Sequence, residues 1–159
     1  MLIHVSSASE LEAAYQAASD GDKIVLAAGN YEATVLSGKE FASGIVITSE
    51  DPDNPAVFTD TLDINSSSGV TLSYVNFVAD SLGESAQAER LGVLNSSNIT
   101  LSNIEIQSYI PTEDEAPAGE DATVRLDPIA GYGYDVGLRV RDSSDVTVEA
   151  VEIHDARIA

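Results

Sequence analysis

Asn76, Glu105 and Glu152 occupy the same place in three copies of one short pattern, and together they are where this chain could do chemistry as a unit. The copies begin at Ser68, Ser97 and Ser144 and close on Phe77, Ile106 and Ile153. If the copies lie on adjacent strands, Glu105 and Glu152 stand about one strand spacing apart, ~4.8 Å. Two carboxylates that close must share a cation, share a proton or splay into water. Splaying is the plain reading. A Ca²⁺ site with Asn76 as a neutral oxygen ligand is the sharper one, since Ca²⁺ takes hard oxygen donors. Two residues further along each copy stand Val78, Gln107 and His154.

Other residue types invite similar weighing. His154 and Asp155 with Arg157 resemble a general-base cluster, although a lone His on an exposed strand is more often simply solvated. Arg139 and Arg141 alternate along one strand and could clamp a carboxylate or sulfate bidentately. The competing reading pairs them with nearby Asp135 and Asp142. Tyr132 and Tyr134 flank Gly133 in an acidic, proline-bearing stretch, and they could stack on a sugar ring or pack that stretch against the body of the protein. Gly131-x-Gly133 lacks the preceding strand and the third glycine of a dinucleotide site. The threonine column Thr71/Thr100/Thr147 suits an exposed strand face and reads as structural.

Composition narrows the partners. Acidic residues number 27 against 7 basic ones in 159 residues, a formal net charge of −20. Nucleic acid and anionic membranes are poor partners for such a surface, because both need Lys and Arg to displace their counterions. No apolar run is long enough to insert in a membrane. Residues 1–5 lack the basic and long apolar regions of an N-terminal signal peptide. With no cysteine there is neither disulfide nor thiolate chemistry. Asn65, Asn95 and Asn98 match glycosylation acceptors, which without a signal peptide reads as coincidence.

The elements that must position these residues follow from periodicity. Ser7 and Glu10 have the spacing of a capping box, and Leu11, Ala14, Tyr15 and Ala18 recur on one helical face, so a helix is expected over residues 8–18, stopped by Gly21. Beyond it Ile24–Leu26, Val35–Leu36 and Ile45–Ile47 are short β-branched runs separated by turn residues, and residues 51–55 form a proline-clamped loop. The three copies align apolar columns Val70/Ile99/Val146, Leu72/Leu101/Val148, Val75/Ile104/Val151 and Phe77/Ile106/Ile153, separated by 29 and 47 residues. Each copy is preceded by a further apolar alternation, at Leu62/Ile64, Val93/Leu94 and Leu138/Val140. A unit this short cannot bury its apolar side alone; stacked units can. The expected fold is therefore all-β, a right-handed parallel β-helix with an N-terminal capping helix. Asn65, Asn95 and Asp142, followed by Ser66, Ser96 and Ser143, are expected at its bends.

The opening residues carry a resemblance. Val5 to Tyr15, followed by Gly21-Asp22, the strand at residues 24–26 and Gly29-Asn30-Tyr31, resembles the start of pectate-lyase-like β-helix proteins, most closely the alginate lyase and chondroitinase B family. The chain is also similar to β-helix phage tail spikes and fibres. In the lyase family a Lys and an Arg move protons, and a Ca²⁺ ion held by Asn and Glu neutralises the uronate carboxylate. No matching motif is present, and Lys23 and Lys39 both lie near the N-terminus. No catalytic residue carries over; an active site, if there is one, would lie beyond residue 159.

Domain organisation is read as one β-helix domain over residues 1–159. Residues 1–23 form the cap, 24–108 the first rungs, 109–135 an acidic loop insertion, and 136–159 a further rung with an open C-terminal end. Three functions are expected from these observations. The first is a structural or adhesive module of an extracellular or virion-surface assembly such as a tail spike, recognising polysaccharide. Other subunits would stack on the open rung, and a homotrimer is the assembly the resemblance implies. The second is the N-terminal part of a secreted lyase or epimerase acting on uronate glycans. The third is a stand-alone carbohydrate-binding module.

Overall fold

The computed structural model describes residues 1–79, 89–108 and 136–154. Tyr132, Tyr134, Asp135, Asp155, Arg157 and the insertion at 109–135 lie outside the described residues. The described chain is mostly strand, arranged in parallel sheets, with one short helix. In order the elements are β1 (Leu2–Val5), α1 (Ala8–Ala17), β2 (Lys23–Leu26), β3 (Asn30–Tyr31), β4 (Thr34–Ser37), β5 (Glu40–Ser49), β6 (Ala56–Phe58) and β7 (Leu62–Asn65). They continue with β8 (Ser68–Val78), β9 (Glu89–Leu94), β10 (Ser97–Gln107), β11 (Val136–Arg141) and β12 (Ser144–His154).

Ser7 caps α1 by accepting the Glu10 N–H at 3.2 Å. The return half of the capping box is shifted by one residue: the Glu10 carboxylate accepts from Ser6 N at 2.7 Å rather than from Ser7. The helix ends at Ala17 with Ala18 as an extended cap, so Gly21 does not stop it. Gly21 instead takes φ +79 in the next turn and donates to Gly44 O at 2.8 Å. Leu11, Tyr15 and Ala18 are buried as the periodicity requires. Strand β1, which the sequence reading assigned to the cap, pairs in parallel with β2.

Two sheets account for the rest. One has the order β1-β2-β5-β8-β10-β12, with β3 and β6 joined to it through β8; the other has the order β4-β7-β9-β11. Among the described residues every pairing is parallel. From β4 onward the chain passes back and forth between the two sheets, with β5 and β6 together filling one pass of the larger sheet, so each pass lays its strands beside their counterparts from the pass before. The four apolar columns stand in register as the repeat demands. Leu36, Ile64 and Val93 from one sheet and Ile47, Leu72 and Leu101 from the other meet in a single buried cluster. Each such side chain contributes about 1.5–3 kcal/mol by leaving water. Tyr31, Phe58 and Phe77 stack in the same interior with centroids 5.3 and 5.1 Å apart. The Tyr31 hydroxyl lies 2.9 Å from Ala27 O and 3.1 Å from Val5 O, which ties the Gly-x-Tyr opening to the first strands.

The long strands are bent rather than continuous. Gly69, Asn98 and Asp145 share one left-handed position, and Tyr74, Asn103 and Ala150 share another, with φ between 48 and 73. Gly69 is required by space as well: a Cβ there would lie 2.1 Å from Phe41 O. Asn95-Ser96 and Asp142-Ser143 stand at their bends as expected, and only the first bend differs, by one residue. Asn65 pairs with Leu94, which in turn pairs with Arg141, so Asn65 is not in the column of Asn95 and Asp142. The left-handed column is Gly38/Ser66/Asn95/Asp142. Its successor is a serine ladder, Ser67/Ser96/Ser143. Ser67 N donates to Ser96 Oγ at 3.1 Å and Ser96 N to Ser143 Oγ at 3.0 Å. Each hydroxyl in turn donates to the carbonyl two residues back, as Ser96 Oγ does to Leu94 O at 2.7 Å.

Candidate functional site

The fold has two kinds of corner. Connections β4–β5, β7–β8, β9–β10 and β11–β12 are each two residues long. Connections β3–β4, β6–β7, β8–β9 and β10–β11 occupy residues 32–33, 59–61, 79–88 and 108–135. The register places all four at the same position in successive passes, so the two longest connections, including the one that carries Tyr132 and Tyr134, leave from one corner. At its N-terminal end this corner holds an open cleft of about 370 Å³ lined by Glu32, Ala33, Thr59 and Asp60.

On the larger sheet, Asn76, Glu105 and Glu152 stand in register on β8, β10 and β12, and Thr71, Thr100 and Thr147 form a parallel row. Both glutamates are exposed. His154 does not join Asp155 in anything described; its Nε2 lies 3.0 Å from Glu105 Oε1 across the strands. Among the described residues no three His, Cys, Asp or Glu side chains converge to hold a metal.

On the smaller sheet the two arginines part company. Arg141 sits 3.5 Å from Asp142, both exposed, which adds little to stability. Arg139 Nη1 lies 3.1 Å from Glu89 Oε2 in a pair only 21% and 16% exposed. Beside that pair is a residue that sequence reasoning missed: Asp63, in register with Gly92, which is in register with Arg139. Asp63 Oδ1 is buried without a hydrogen-bond partner. Burial, and then the Glu89 charge, push the Asp63 carboxyl above the usual carboxylate range, while Arg139 draws it down. Gly92, set in the apolar run Leu91-Gly92-Val93, was the available signal, because glycine inside a strand marks a close approach.

No family model matches the chain, and no curated protein matches it. Among solved structures, an alginate lyase from Paenibacillus sp. str. FPU-7 is similar at 20% identity and a TM-score of 0.42, covering 99% of this chain and 68% of that one.

Proposed function

We propose that this chain is a right-handed parallel β-helix serving as a structural, polysaccharide-recognising module of a larger extracellular or virion-surface assembly. The observation that supports this reading is the in-register stacking of polar side chains across strands. Thr71, Thr100 and Thr147, and further along the same strands Asn76, Glu105 and Glu152, repeat two hydrogen-bonding positions per strand. A glycan, which repeats its hydroxyls along its length, suits a row that repeats donors and acceptors. In this reading Tyr132 and Tyr134 stack on sugar rings, and Arg139 and Arg141 add their guanidinium groups from the smaller sheet. With a charge of −20 the surface favours a neutral glycan, or an acidic one bridged by Ca²⁺ at Asn76, Glu105 and Glu152. Partner subunits, in a homotrimer or a mixed stack, bury the β12 side of the larger sheet.

The test is calorimetric titration with neutral and uronate oligosaccharides of increasing length, with Ca²⁺ or with chelator. The reading expects affinity to rise with oligosaccharide length and to fall about tenfold, ~1.4 kcal/mol, in Thr100→Val with Glu105→Gln. Absence of binding to every glycan tried would reject it. Release of unsaturated uronate products would replace it with a lyase.

A further inference from the structure

Val35, Asp63, Gly92 and Arg139 form one column across β4, β7, β9 and β11 on the smaller sheet. A Cβ on Gly92 would lie 2.3 Å from Asp63 Oδ1 and 3.3 Å from Glu89 Cγ. Gly92 is not in a left-handed conformation, so it is glycine for want of space. The Asp63 carboxyl lies on the backbone of the next strand, in the volume a side chain would have filled.

The charges around it come from each neighbouring strand. From β9 comes Glu89, and from β11 comes Arg139, which is 3.1 Å from Glu89 and has a further contact of its own. Arg90, also on β9, is fully buried and has contacts of its own. On the β4 side Val35 is apolar, and Glu12 of α1 is engaged with the Val35 N–H at 2.8 Å. Ionised, Asp63 is a second carboxylate beside Glu89, with Arg139 between two claims. Protonated, it removes that repulsion and leaves Arg139 to Glu89.

We propose that Asp63 is a proton-operated latch at the foot of the variable corner. With its proton it rests over Gly92 and Arg139 stays with Glu89. Without it, Asp63 draws on Arg139 and loosens β9 and β11 where the two longest connections rejoin the sheet, at Glu89 and Val136. The sign follows from the buried setting. The folded chain holds the Asp63 proton more tightly than the unfolded chain, whose carboxyl titrates at its ordinary 3.8. This contribution to stability is therefore greatest in acid, falls as pH rises from the unfolded towards the folded value, and is level above it.

Carbon-detected NMR titration of the Asp63 carboxyl in the whole chain tests the latch directly. The expected midpoint lies above the ordinary carboxyl value, moves down in Glu89→Gln and moves up in Arg139→Gln. A midpoint at or below the ordinary value overturns the proposal, as does one that neither variant moves. Thermal unfolding supplies a second reading. Asp63→Asn, which imitates the protonated form, is expected to melt several degrees above the wild type at neutral pH and level with it near about pH 4. An equal difference at both pH values would overturn the latch.

Discussion

The two corners that join the sheets obey opposite rules. At one, four successive connections are all two residues long, begin with a left-handed residue, and in the last three continue with a serine bonded both within its own turn and to the turn beside it. At the other, successive connections grow from residues 32–33 to residues 108–135. The difference follows from where backbone hydrogen bonds go. In the constant corner Ser67 N and Ser96 N are satisfied by hydroxyls of the next turn, so an added residue would misplace a bond in two passes at once. In the variable corner the sheet hydrogen bonds end at Thr59 N to Tyr31 O, Ala79 N to Gln107 O and Ser108 N to His154 O, and the chain beyond them can lengthen without disturbing the stack. The first corner specifies the fold; the second is where a function can be varied.

That contrast can be broken at several strengths. The largest effect is expected from inserting Gly-Ser-Gly between Asn95 and Ser96, which should abolish cooperative thermal unfolding. The same insertion between Thr59 and Asp60 should lower stability by about 1 kcal/mol or less, because loop lengthening is entropically mild. Next, Gly69→Ala should destabilise by about 2–4 kcal/mol in urea denaturation, from left-handed strain and from collision with Phe41 O. Ser96→Ala should destabilise by about 1–3 kcal/mol, since it leaves the buried Ser67 N–H unpaired. The smallest change expected is a gain: Ala150→Gly relieves a left-handed alanine at φ 48 and should stabilise by about 0.5 kcal/mol.

Much of the stack was legible because burial imposes period. Val70, Ile99 and Val146 repeat with their neighbours, and each column they head is one the register confirms. The second left-handed column was hidden, because Tyr74 and Ala150 are not residues that favour it, and only Asn103 hinted at the bend. The first turn slipped by one residue, from Ser66-Ser67 to Asn65-Ser66, because Asn-Ser and Ser-Ser satisfy the same turn chemistry, and only the inter-turn serine bonds decide between them. Glu105 was found as part of a carboxylate column, but its contact with His154 depends on a side chain reaching across strands. Asp63 escaped because nothing local marks it: its burial and its charged neighbours come from β9 and β11, in later passes of the chain.

The account rests on each pass of the chain stacking like residue upon like. Backbone NOEs in solution on the intact chain test it most directly. It predicts parallel cross-strand contacts joining Thr71 to Thr100, Thr100 to Thr147, and Glu105 to Glu152. Antiparallel contacts between sequence neighbours, such as β8 with β9 or β10 with β11, would contradict it.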